Sequence, residues 1–405
     1  MRFIMLTVLI DMVSIGLIIP VLPVLVGDFT TSVAEQAFWY GAVMFTFAVA
    51  NFFGSPILGA LSDRHGRRPV LLIGFCGLAC SLFVTALAAE LWMLIAIRLV
   101  SGALMANVSV ANAYVADITA PEDRARRFGQ LGAMLGVGFI LGPAMGGLLG
   151  DINIRLPFFV AGSLALCNLL YGYFVLPESL PPERRRVVSW RSANPIASLV
   201  RLGRLKNAGG LVAVVALGSL AQFVLQTSWV LYTSFRFGWG PQQNGWSLFT
   251  VGLVSVVVQG VLLRRLLSYF GAARLATLGM LSGALCFLSW GLSTAGWLMY
   301  VIIVFNVFGF AVVPAIQSLI SNAADAKTQG QTMGAVASLN SLASVIAPMI
   351  AGPLLGVVSH LPRDDWRVGA PFFFCAALQF SAMLIAFRHF RRQSRASTPR
   401  AVEQE

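Results

Sequence analysis

Charge is scarce in this 405-residue chain: Asp, Glu, Lys and Arg together make up 11% of it, less than half the ~25% of a typical soluble domain. Hydrophobic residues reach 58% and the mean hydropathy is +0.81. That leaves too little polar surface to coat a water-soluble globule, which excludes an ordinary cytosolic enzyme and a disordered chain. Histidine is scarcer still. The three histidines, His65, His360 and His389, fall in loops or at the end of an apolar run. The five cysteines all lie inside apolar stretches, and none has metal-site spacing with histidine. They read as small buried hydrophobes, and no metal or cofactor is expected.

What the chain has in quantity is long apolar runs. A bilayer core needs about 20 such residues per helix. Runs of that kind occur near 3–26, 38–61, 70–89, 91–116, 128–150 and 156–176, and again near 209–235, 245–267, 273–293, 296–321, 332–357 and 368–388. The expected fold is an all-α membrane protein with twelve transmembrane helices in two pseudo-symmetric six-helix bundles. The first run has no small-residue cleavage site and reads as a retained span, not a signal peptide.

The cations sort with this topology. Lys and Arg number 28 against 16 acids, a net +12. They sit in short bursts between the runs rather than on one solvated face, which argues against a nucleic-acid partner. Numbered from an inside N-terminus, 23 of the 28 fall on one side, including Arg64, Arg67 and Arg68, Arg124 to Arg127, Arg184 to Lys206, Arg264 to Arg274, Lys327 and Arg388 to Arg400. Only Arg155, Arg236, Arg363 and Arg367 fall on the other, and Arg98 lies within a span. The positive-inside rule then puts both termini in the cytoplasm. Residues 1–176 form the first expected bundle, 177–208 a proline-bearing cytoplasmic linker, 209–390 the second bundle and 391–405 a basic tail. Gly66, Gly129, Pro143 and Gly147 recur 205 residues later as Gly271, Gly334, Pro348 and Gly352. Two equivalent bundles imply a transport cavity between them near the midplane.

Three features carry chemistry. The first is the loop between spans two and three, Gly59 to Pro69, with Asp63, Arg64, Gly66, Arg67 and Arg68. Gly66 suits a turn with positive φ, Asp63 is placed to face a helix N-terminus, and the arginines can bridge carboxylates. Read from composition alone, it is equally a topology-setting basic loop. The second is a glycine stripe in span five, Gly138, Gly142, Gly146 and Gly150, with Pro143 and Gly147 beside it. Such a stripe admits another backbone closely, so helix packing alone also accounts for it. The third is the pair of ionisable residues well inside spans, Asp11 and Arg98. Each costs at least ~2.5 kcal/mol on insertion scales and needs a partner or a cavity. They make either a structural ion pair or a functional one. Asn112 lies near Arg98 around span four and is a candidate for the substrate cavity, whereas Asn107 is opposite. Asn51, Ser255 and Gln259, together with Gln222, Gln226 and Trp229 on one face of span seven and Asn306 and Gln317 on one face of span ten, are candidates for the substrate cavity. Interhelical hydrogen bonding is the alternative for each.

These motifs resemble the major facilitator superfamily. The segment Gly59-x-x-x-Asp63-Arg64-x-Gly66-Arg67-Arg68 resembles its loop signature. The resemblance implies a charge network with an acid at the end of helix four, here Asp117, that holds the outward-facing state. Ser268 and Tyr269 stand at the positions equivalent to Asp63 and Arg64, so the resemblance implies an asymmetric latch. Gly142-Pro143-Ala-Met-Gly146-Gly147 resembles the helix-five signature of the superfamily's drug/proton antiporters, and Arg98 with Gly102 resembles their helix-four arginine. Asp11 to Pro23 resembles the first helix of tetracycline exporters. Ala113-Tyr-Val-Ala-Asp-Ile-Thr119 and Glu122-Asp-Arg-Ala-Arg-Arg-Phe-Gly129 resemble the same exporters. The resemblance implies proton-coupled efflux of a small amphipathic drug or metabolite by a monomer, with Asp11 carrying the proton and Arg98 modulating it. It implies no cofactor, and no partners beyond substrate, protons and lipid. Tetracycline exporters also carry acids in helices three and nine and a histidine in helix eight. Residues 70–89 and 273–293 here contain no Asp or Glu, so a hydrophobic drug or a neutral or zwitterionic metabolite is as good a substrate as a metal–tetracycline chelate. A symporter or facilitator, a lipid translocator, an integral-membrane enzyme and a channel are the alternative classes. The enzyme reading lacks paired carboxylates and nucleophile–base pairs within the spans.

Overall fold

The chain is described by a computed structural model over residues 2–185, 209–323 and 329–397, and these residues are helical with short connections. Most of the predicted linker, including Arg186, Arg191, Arg201, Arg204 and Lys206, lies outside the described residues, as do Lys327 and Arg400.

Proline and glycine set the breaks. α1 (Arg2–Ile18) and α2 (Leu22–Gly27) are two pieces of one span, interrupted at Pro20, which has no amide to donate. α3 (Val33–His65) opens on Ser32, whose side chain accepts from the Glu35 amide, and is separated from α4 (Arg67–Leu87) by Gly66 alone. α5 (Leu91–Leu104) and α6 (Asn107–Asp117) share one span, and α7 (Arg124–Ile152) and α8 (Leu156–Val175) come after them. In the C-terminal part, α9 (Gly209–Phe237) leads to α10 (Pro241–Val257), a π turn (Val258–Leu262) and α11 (Leu263–Leu292). A bent trio comes next, α12 (Gly296–Phe305), α13 (Val307–Phe310) and α14 (Val312–Ala323). α15 (Gln329–Val358) and α16 (Ala370–Ser397) complete the order.

Among the described residues, ten helices are long and apolar enough to cross a membrane, or eleven when the pair bent by 60° at Asn306 counts as one. One of the ten is the 52-residue run Pro241–Leu292, about 78 Å of helix against a ~30 Å hydrocarbon core. Gly271, at φ 70° and ψ 159°, breaks that run, which makes the architecture consistent with twelve crossings. Gly66, at φ 106°, breaks the N-terminal part at the equivalent point, so the echo at 205 residues is structural as well as sequential.

The hydrophobic cores show how the two parts meet. One cluster runs through both, from Leu17, Tyr40 and Phe158 to Trp229, Trp290 and Phe372. Two others are private. Val70, Phe75 and Tyr114 belong to a cluster of the N-terminal part alone, and Leu275, Met280 and Ala315 to one of the C-terminal part alone. The private clusters lie toward the Gly66 and Gly271 breaks. Among the described residues, the two parts therefore share a core at one end and keep separate cores toward the end that carries the Gly59–Pro69 loop.

Candidate coupling and gating sites

Asp11 sits in the middle of α1 and is 2% exposed. It does not form the ion pair with Arg98 that was one expectation. Its partner is Asn107, whose Nδ2 donates to Asp11 Oδ1 over 2.9 Å in a buried bond. Arg98 instead lies over the Phe47 ring of α3, its guanidinium carbon 5.8 Å from the centroid. A straight helix would turn Asn107 away from the Arg98 face. The break at Met105–Ala106 (φ −88°, ψ 87° and φ −125°, ψ 13°) re-aims it as the first residue of α6. Asn112, the residue the straight wheel favoured, donates to the Val108 carbonyl of its own helix.

The loop between α3 and α4 is a bonded latch. Arg67 pairs with Asp63 at 2.5 Å and with Asp117 at 3.0 Å, and also donates to Ser62 Oγ. Its side chain is only 11% exposed and Asp117 only 23%, so the Arg67–Asp117 bond is less screened than a surface pair, whereas Asp63 is 47% exposed. The N-terminus of α4 is held by Glu178, not by Asp63 as expected. Glu178 accepts from the amides of Arg67 (2.8 Å) and Arg68 (3.2 Å), satisfying donors that a helix start leaves orphaned. The sequence reading missed Glu178; the signal was an acid directly after Pro177, where the sixth span ends. Arg68 donates to the Tyr173 carbonyl and lies over that residue's ring, whereas Arg64 is exposed. Among the described residues, the equivalent turn at Gly271 shows no such network: Ser268 bonds within its own turn and Tyr269 is 83% exposed.

The span-five glycines pack on two sides. A Cβ at Gly138 would strike Met12 of α1, and one at Gly142 would come within 2.6 Å of the Gly16 Cα; Gly146 abuts the Leu17 backbone. Gly147 faces the C-terminal part, where its added Cβ would be 2.9 Å from the Gly245 Cα, and Gly245 in turn lies against the Pro143 carbonyl. The same contact recurs with the parts exchanged: a Cβ at Gly41 of α3 would meet the Pro348 carbonyl at 3.1 Å and the Gly352 Cα at 3.6 Å. These paired crossings lie at the fused end. Toward the latch end, Gly59, Gly129, Gly132, Gly136 and Gly334 have nothing within 4 Å of an added Cβ.

The polar cavity candidates divide by depth. Gln222 and Gln226 are exposed on α9. Trp229, one turn further, is 4% exposed, donates to Ser247 Oγ and stacks edge-on against Trp290. It is a core residue of the fused end and does not line open space. Asn51 donates to the carbonyls of Met105 and Gly102. Gln259 donates to Ser255 beside the π turn, a feature often found at functional sites. Asn306 and Gln317 do not share a face: the bend at Asn306 buries it against Ser282 while Gln317 is exposed.

Bilayer-length helices in two echoing sets, fused at one end and parted at the other, define a multi-pass membrane transporter. The chain belongs to the major facilitator superfamily: residues 4–348 match the family described as Major Facilitator Superfamily. It is 38% identical over 365 residues to the class C tetracycline resistance protein of Escherichia coli, covering 90% of this chain and 92% of that one. It is 35% identical to the class D protein of Salmonella ordonez, over 84% and 86% of the two chains. Among solved structures it resembles the human organic anion transporter MFSD10 (TETRAN), at 25% identity and a TM-score of 0.69, over 95% of this chain and 98% of that one.

Proposed function

We propose that the protein exports a small amphipathic drug or metabolite across an inner membrane in exchange for protons. The two bundles, 1–176 and 209–390, rock about the fused end, with both termini and the 177–208 linker in the cytoplasm. The observation that carries this reading is Asp11, a carboxylate buried mid-span with no cationic partner among the described residues. Such a group needs either to shed its charge or to meet water, and rocking offers both in turn. Arg98 lies in the first half of the broken span whose second half supplies Asn107 to Asp11, which suits it to modulate the exchange.

With the latch end cytoplasmic, the parted end opens inward, and Gln222 and Gln226 stand on the open stretch of α9. The latch bonds lie within the N-terminal bundle. Their role is to fix the ends of α3, α4 and α6 so that this bundle moves as one body. Tetracycline is the first substrate to test because relatives bear its name, and hydrophobic dyes are the second because spans three and nine lack acids. The test is proteoliposomes under an imposed pH gradient. Gradient-dependent movement of tetracycline or dye with counter-movement of protons is expected. Equilibration that ignores the gradient would favour a facilitator.

A further inference from the structure

We propose that Asn107 is a positioning residue for Asp11, and that Asn51 holds open the helix break that delivers it; this rests on the reading of Asp11 as the proton carrier. Asn107 is 6% exposed and spends its amide donor on the Asp11 carboxylate. Its Oδ1 fills the space beside Gly74 of α4, where any Cβ would collide with it, so its place is fixed from two sides.

The break that places it is itself secured. Interrupting a helix frees backbone carbonyls that must find donors. Asn51 Nδ2 gives one to Met105 at 2.6 Å and reaches the Gly102 carbonyl at 3.4 Å. Backbone contact locks the same region, since a Cβ at Gly54 would lie 2.7 Å from the Ala103 Cα, and one at Gly102 would lie 2.9 Å from the Ala50 Cβ. Asn51 is thereby committed to the chain itself and not to a substrate.

Among the described residues, the helices packed on α1 bring Asp11 no charged partner. Asp117 of α6 is held in the latch. α7 carries Arg124, Arg126, Arg127 and Asp151 at its two ends. Cys167, Tyr171 and Tyr173 of α8 make no bond to Asp11, and Tyr114 of α6 donates to the Pro177 carbonyl. The C-terminal bundle supplies a control within the molecule: its broken span also has an asparagine at the bend, Asn306, but that amide oxygen accepts from Ser282 at 3.2 Å and meets no carboxylate.

The test needs no substrate. Dicyclohexylcarbodiimide modifies protonated carboxyls in apolar surroundings, so mass spectrometry of the labelled full-length protein across a pH series reports the midpoint at which Asp11 becomes reactive. Asn107→Ala should displace that midpoint by roughly half a pH unit or more, the scale of one lost hydrogen bond to a carboxylate, and Asn107→Ser should restore part of it. Gly74→Ala, which crowds the amide without removing it, should displace the midpoint too and keeps the test available if Asn107→Ala does not fold. Asn112→Ala, which breaks only a bond within its own helix, should leave it in place. A midpoint unmoved in both Asn107→Ala and Gly74→Ala, or moved as far by Asn112→Ala, overturns the proposal. If Asp11→Asn retains gradient-driven transport while the midpoint still moves, the proton-carrier reading fails and the positioning role stands.

Discussion

The two bundles share a frame and differ in where they place charge. Each has a positive-φ glycine between its second and third spans, a broken fourth span with an asparagine at or beside the break, and a proline–glycine contact with the other bundle. Among the described residues, the N-terminal bundle alone places ions at these two points: a latch around Arg67 where the other has Ser268 and Tyr269, and a carboxylate at Asn107 where the other has Ser282 at Asn306. An internal repeat thus supplies shape twice, while the proposed coupling and gating rest on one copy of the charges. Duplicating buried ions would double a desolvation cost that a single site already incurs.

That asymmetry is open to attack, starting with the largest effect. Asp11→Asn should abolish gradient-driven transport at normal abundance, whereas Ser282→Ala should leave most of it; transport assays in vesicles with matched protein levels decide this. Arg67→Ala strips Asp117 and Asp63 of their shared partner and should lower transport by about tenfold, while Ser268→Ala stays within about twofold. Next come the crossings between bundles. Gly147→Val forces a side chain where an added Cβ already stands 2.9 Å from the Gly245 Cα, at a cost of about 1–3 kcal/mol. It should lower the detergent-solution melting temperature by more than Gly41→Val does, because the Gly41–Gly352 approach is looser. The smallest effect is expected at the parted end, where Gly129→Ala meets nothing within 4 Å and should leave both melting and transport unchanged.

Periodicity and composition make the spans and the repeat legible in the sequence, because each rests on local chemistry: apolar length, turn glycines, clustered arginines. The latch loop becomes legible only through its resemblance to the family signature. Asp11 is legible from local chemistry, as a charge with no business in an apolar run. The partners are not. A helical wheel turns Asn107 away because it assumes a straight helix, and the break at Met105–Ala106 is held by a donor 54 positions away in Asn51. The same assumption joins Asn306 and Gln317 on one face, and it fails at the 60° bend. Trp229 reads correctly as a span-seven residue but not at its true depth, since nothing local says which end of a cleft is closed. Glu178 illustrates the same limit, an acid 111 positions from the amide it holds.

The extracellular-facing loops of the proposed topology show a local counterpart to the latch. Arg367 holds the Asp365 carboxyl down at about 2 through a paired set of hydrogen bonds, and Arg236 donates to the carbonyls of Ser293 and Asp365. The Asp365 carboxylate therefore stays ionised to well below the pH of any transport assay. Between pH 5 and 8, pH dependence should come from elsewhere, and Asp365→Asn should leave the pH profile of transport superimposable on wild type.

The most direct test of the account tracks protons and substrate together. Proteoliposomes loaded with a pH-sensitive dye are challenged with tetracycline or a lipophilic dye of separate colour, for wild type and for Asp11→Asn. The account predicts substrate-triggered proton movement in the wild type and none in the variant, with substrate binding retained in both. Equal proton movement in the two proteins would contradict it.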